Sequence, residues 1–101
     1  MKAYKLFRKM KNGDLKPLFI GKAQVIRVGQ WLPAQCIPTK GFAVRQGWHC
    51  CLKPKAPHLS EKNRVWCEVE VSDYEFYNRP ESQGGTWILA QNMKVIKEME
   101  Q

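Results

Sequence analysis

No stretch of the sequence approaches the roughly 18 consecutive apolar residues that carry a helix across a bilayer. The opening, MKAYKLFRKMKNG, lacks the apolar centre of an export signal. Insertion and secretion by those routes are therefore not expected, and the chain reads as cytoplasmic with no membrane partner. Cysteine is scarce. Four among 101 residues are too few for a disulfide-built scaffold, and they read as reduced thiols. Internal repeats and low-complexity tracts are missing too, which argues against a solenoid or a flexible linker protein. What is present, 44% hydrophobic and 26% charged residues in 11.8 kDa, is the balance of one small globular domain spanning 1–101.

Acidic residues are nearly absent from the first two thirds. Residues 1–64 hold 14 Lys and Arg against only Asp14 and Glu61, a net +12; residues 65–101 carry −4, giving +8 overall. Such asymmetry makes a directional field that steers an anionic partner to one part of the surface. Nucleic acid is the foremost candidate, and an acidic face on another protein would be steered in the same way. The plainer alternative is a basic surface serving solubility alone.

The pattern along the chain is that of short strands. Tyr4–Met10 alternates without a clean face and reads as a strand. Asn12-Gly13, both tolerant of positive φ, predicts a hairpin into Leu15–Ile20, with Pro17 confining that strand to an edge or a late start. Gln24–Val28 reads as a third strand, 29–33 as one helical turn at most, and Gly41–Arg45 as another strand. From Gly47 to Asn63 the reading is a long central loop. Val65, Cys67, Val69 and Val71 alternate with Trp66, Glu68, Glu70 and Ser72, the clearest strand of the chain. Asp73–Arg79 reads as a turn or helical piece, and Thr86–Ala90 and Met93–Ile96 as a strand broken at Gln91-Asn92. The predicted fold is mainly β, at most β-rich α+β. It is a twisted antiparallel sheet closed into a small barrel or sandwich.

Several groupings bear on chemistry. His49, Cys50, Cys51 and His58, with Cys36 and Cys67 at a distance, offer zinc's preferred ligand types, but adjacent cysteines lack chelating spacing. No metal or cofactor is expected. Cys51 shares a strand face with His49 and would be the nucleophile of a thiol mechanism, though no acyl-transfer signature surrounds it. Glu68 and Glu70 share a face and, with Arg8 and His49, define the alternative of a small transferase or hydrolase. The bland reading sets both carboxylates in solvent opposite cross-strand cations.

Binding has the stronger case. Four tryptophans are many for this length, and most must be core. One or two exposed rings among cations make a platform on which bases stack, and Trp48, near Arg45, His49 and Lys53, is the expected ring. Lys5, Lys9, Arg45, Lys53, Lys55 and Arg64 are the expected charges. No RNP-type or helix-turn-helix signature accompanies them.

The strings YKLFR, NGDLKPLFI, GQWL, GFAVRQGWH, VWCEVEV and WILAQNMKV together resemble a small domain of unknown function found in phage and mobile-element proteins. The resemblance covers nearly the whole chain and implies a phage or integrated-element origin, without a reaction. By analogy with other small phage proteins, it also implies a second reading. In that reading the chain inhibits a host protein, for example CRISPR-type or other nucleic-acid-handling machinery.

Overall fold

The structure is a computed structural model that describes residues 1–18, 24–34, 47–56, 59–83 and 85–99. Six strands form in chain order: β1 (Lys2–Lys9), β2 (Leu15–Lys16), β3 (Trp31–Pro33), β4 (Trp48–Cys51), β5 (Arg64–Asn78) and β6 (Thr86–Glu98). Glu81–Gln83 adds one 3₁₀ turn, and no α-helix occurs among the described residues. All strand pairs are antiparallel.

Hydrogen bonding runs in a ring. β5 pairs with both β1 and β6, β6 with β4, and β4 returns to β1 through Tyr4 opposite Cys51. β2 extends β1, and β3 lies along the second half of β6. The ring falls short of a complete barrel, because one residue pair joins β4 to β1 while β5 runs on past the start of β1. The expected twisted β domain is thus present.

The β1–β2 hairpin forms where Asn12-Gly13 predicts it, but by a wider turn. Gly13 N–H donates to Met10 (2.9 Å), Met10 N–H donates to Asp14 (2.8 Å), and only Gly13 takes positive φ (+96°). A single left-handed glycine closing the loop sets Arg8 opposite Lys16 and Lys9 opposite Leu15. A two-residue Asn-Gly turn would have shifted that pairing by one.

Several expected elements differ. Gln24–Val28 makes only isolated bridges, Ile26 to Leu15 and Val28 to Val95, and the predicted helical turn holds strand β3 instead. β2 ends before Pro17, while Phe19-Ile20 and Gly41–Arg45 lie outside the described residues. The predicted central loop contains β4. Asp73–Arg79 is not a turn or helix: β5 continues to Asn78, and β6 passes through Gln91-Asn92 unbroken.

What happens at Asp73 and Gln91 is a slip of phase. Val69 and Val71 point inward on β5, as Met93 and Val95 do on β6. Beyond the slip, Ala90 and Ile88 are the inward residues of β6, and Tyr74 and Phe76 stand opposite them. Asp73 takes φ +51°, and its carboxylate accepts from Asn92 Nδ2 (3.1 Å). Because both strands slip at the same level, the register survives. The sequence shows this as a break in alternation.

Two apolar clusters flank the sheet. The inner one joins Phe7, Trp48, Cys50, Val69, Ile88 and Met93. The outer one holds Leu6, Cys51, Ala56, Trp66 and Trp87, with Leu18 and Leu59 packed against it. This explains why neither face of β1 is clean in the sequence: Phe7 is buried inside and Leu6 outside. It also moves Trp66 from the expected polar face into a core. Burying one such ring removes about 150–250 Å² from water, on the order of 4–5 kcal/mol before entropy is counted.

Candidate anion-binding face

Residues directly opposite one another on neighbouring strands share a face. Register places Lys16 opposite Arg8, and Arg8 opposite Arg64, so three cations stand in one row across β2, β1 and β5. The next rung inward along β1 and β5 pairs Leu6 with Trp66, and those belong to the outer cluster, so the row stands on the outer face. With strands about 4.8 Å apart, the row spans roughly 10 Å.

Backbone acceptors hold two of these side chains in place. Arg8 Nε donates to the Pro17 carbonyl (3.0 Å), and an Arg64 guanidinium nitrogen donates to the Ser60 carbonyl (2.9 Å). Pro17 therefore does more than end a strand. It presents a carbonyl where the chain turns away, which fixes the direction of Arg8. The segment after β4 approaches the same face, since Ala56 and Leu59 belong to the outer cluster; Lys53 and Lys55 in that segment are exposed, and exposed Lys62 lies in the turn before Arg64. Of the nearby acids, Asp14 accepts from Asn12 (3.2 Å).

The sequence-predicted residues divide accordingly. Arg64 stands in the row, while Lys53 and Lys55 are exposed in the segment after β4. Lys9 stands on the opposite side of β1, in an ion pair with Glu98 (2.8 Å). Lys5 also points inward: its ammonium donates to the His49 carbonyl (2.8 Å) and lies 5.8 Å from the Phe7 ring and 5.9 Å from that of Trp48. Burial holds it below the ordinary lysine value. Trp48 is not a surface ring. It is 8% exposed, with its indole N–H donating to the Leu32 carbonyl (3.0 Å). Arg45, Cys36 and His58 lie outside the described residues.

Sequence reasoning passed over Arg8 and Lys16 as binding residues, and Trp31 as the exposed tryptophan. Trp31 is 46% exposed on β3, with the Lys94 ammonium 5.1 Å from its ring. The hairpin signal carried the information for Arg8 and Lys16, but only the true loop length sets them opposite each other.

The groups of the catalytic alternative do not converge. Glu68 pairs with Lys2 (3.4 Å) and Glu70 with the Met1 ammonium (2.6 Å). Arg8 lies four residues along β1 from Tyr4, the residue opposite Glu68, a separation of about 13 Å along the strand. His49 faces Tyr77 edge-on at 6.5 Å. Cys50 belongs to the inner cluster and Cys51 to the outer one, so the adjacent thiols point to opposite faces. Burial pushes Cys50 up to about 11 and Cys51 and Cys67 up to about 12, away from the thiolate form that attacks substrate or binds metal. Among the described residues, no three of the His, Cys, Asp and Glu side chains gather as a metal site would require.

The chain matches no family model, no curated protein and no solved structure.

Proposed function

We propose that the protein is a small β-rich binding module for a polyanion, nucleic acid foremost, engaged through the outer face that carries Lys16, Arg8 and Arg64. The observation that supports this is their register: three cations set directly opposite one another on three adjacent strands. Like charges in that arrangement repel and weaken a sheet. An anion bridging them removes the repulsion and gains charge-assisted hydrogen bonds. Three long, flexible cationic side chains across roughly 10 Å can each reach a phosphate, so at most about three such contacts are expected.

Binding of the whole protein to short single- and double-stranded DNA and RNA, followed across a salt series, tests this reading. Affinity that falls linearly on a double-logarithmic salt plot, with a slope set by about three phosphates, is the expected result. Binding lost altogether at physiological salt, whatever the form of nucleic acid, would overturn it and direct the search to an acidic protein partner.

A further inference from the structure

The far end of β5 presents a second surface, unrelated to the cation row. β1 pairs with β5 as far as Glu70, and Val71 N–H donates to the Met1 carbonyl (2.9 Å). Beyond that, β5 continues to Asn78 paired with β6 alone, and no strand lies on its other edge among the described residues. The direction of the backbone groups follows from the hairpin end, where Arg79 N–H donates across to Gly85 (3.0 Å). Alternate residues of an antiparallel pair turn their N–H and C=O to alternate sides. Tyr74, Phe76 and Asn78 therefore direct theirs to the open edge.

Large apolar side chains stand on the same segment. Phe76 is 61% exposed and Tyr74 41% exposed, packed edge-to-face with ring centroids 6.0 Å apart. They stand on the row of Ile88 and Ala90, which are fully buried, so the apolar interior continues into solvent there. Open strand edges are ordinarily protected by lysine, proline or a covering element. Here the stretch is bounded by the left-handed Asp73 and by Pro80, and among the described residues no lysine, proline or covering strand lies within it.

Charge decides what can pair with it. Two copies related by a two-fold axis can align this strand with itself in several registers. Centring on Tyr74 sets Asp73 against Glu75 of the second copy, and centring on Glu75 sets that carboxylate against itself. Both are unfavourable. Centring on Phe76 sets Asp73 opposite Arg79, Glu75 opposite Tyr77, Tyr74 opposite Asn78, and the two Phe76 rings together at the axis. Centring on Tyr77 also sets Glu75 opposite Arg79, but it brings Asp73 opposite Glu81 and Tyr74 opposite Pro80, which has no N–H. The Phe76 register avoids both, and it aligns the outward N–H and C=O groups of Tyr74, Phe76 and Asn78 among themselves. Arg79 is already positioned at the hairpin end, its guanidinium 4.9 Å from the Trp87 ring and 5.6 Å from that of Tyr77.

We infer that the β5 edge from Asp73 to Arg79 is a self-complementary dimerisation surface whose occupant is a second copy of this chain, paired antiparallel about Phe76. The two hairpins then join into one continuous sheet, β4-β6-β5 meeting β5-β6-β4, and the contact is isologous and closed.

Sedimentation velocity over a broad concentration range tests this with the intact chain. The native protein should approach twice its 11.8 kDa mass. Phe76→Lys, at an exposed position, should keep the far-ultraviolet spectrum and stay monomeric throughout. Cross-linking tests the register in a Cys36→Ser background, where the buried native thiols do not compete. Phe76→Cys should give a covalent dimer at least about tenfold faster than Glu75→Cys, whose thiols lie diagonally across the pair. A native chain that stays monomeric, a dimer that survives Phe76→Lys, or equal cross-linking from the two cysteine variants would each overturn the inference.

Discussion

Arg8→Gln isolates the row at its centre, because Arg8 is the residue opposite both Lys16 and Arg64. If each cation meets one phosphate of B-form DNA, three contacts give a salt slope of about −2.7. Between 50 and 200 mM salt, that slope lowers affinity about 40-fold. Removing one contact leaves a slope of about −1.8, and the same salt change then lowers affinity only about 12-fold. The fold should tolerate the change. Arg8→Gln relieves two cross-strand repulsions of about 0.2–1 kcal/mol each. It also loses the guanidinium bond to Pro17, a net contribution of about 0.5–1.5 kcal/mol. These two effects oppose each other, and the melting temperature of the variant reads their balance separately from the salt slope. Fluorescence anisotropy with a labelled duplex, repeated at four or so salt concentrations, reads the slope. Lys97→Gln supplies the control, an equal loss of charge at an exposed position on β6. Equal slopes for the two variants would refute the reasoning, since the effect would then follow total charge rather than the row.

Other expectations follow from single contacts. Gly47→Ala should destabilise the protein by about 1–3 kcal/mol in urea titration, because its φ is +142° and a Cβ there meets Leu89 Cγ at 2.7 Å. In a Cys36→Ser background, native protein at pH 8 should react with a thiol reagent only as fast as the fold opens, since burial pushes Cys50, Cys51 and Cys67 up to about 11, 12 and 12. Rapid labelling would show that one of them is an accessible thiolate. Glu70 is held below the ordinary carboxyl value of 4.5, chiefly by its hydrogen bond from the Met1 ammonium. A depressed folded value means that its contribution is present above the ordinary value and lost as pH falls through the folded one. Stability measured against pH should therefore differ between the native chain and Glu70→Gln near neutrality, and the difference should shrink on acidification. A difference unchanged at low pH would show that the ion pair is not its source.

Residues Val65–Ser72 were legible because a strand with one buried face repeats every two residues, and composition alone marks that period. The β character of the whole was legible for the same reason. Strand β1 was not: it packs against apolar clusters on both sides, so Leu6 and Phe7 are both buried and alternation disappears. At Asp73 and Gln91 the period slips in both partners at once, which looks like an ending in either sequence read alone. The tryptophans show the limit most plainly. Trp31 and Trp48 both lie in strands of three or four residues, and nothing local distinguishes them; β6 leaves one on its outer face and takes the other into the core.

By itself the sequence determined the charge asymmetry and the small β domain. It also placed the Asn12-Gly13 turn and an apolar complement large enough to fill a core. These are sums and periods over neighbouring residues, and neighbouring residues suffice to read them. Tertiary structure alone decided which cations share a row and where β5 loses its partner strand. It also set the carboxylates Glu68 and Glu70 against cations. Each depends on register between strands far apart in the chain. One left-handed glycine in the first hairpin fixes part of that register, and moving its loop by a single residue would set Lys9 rather than Arg8 opposite Lys16.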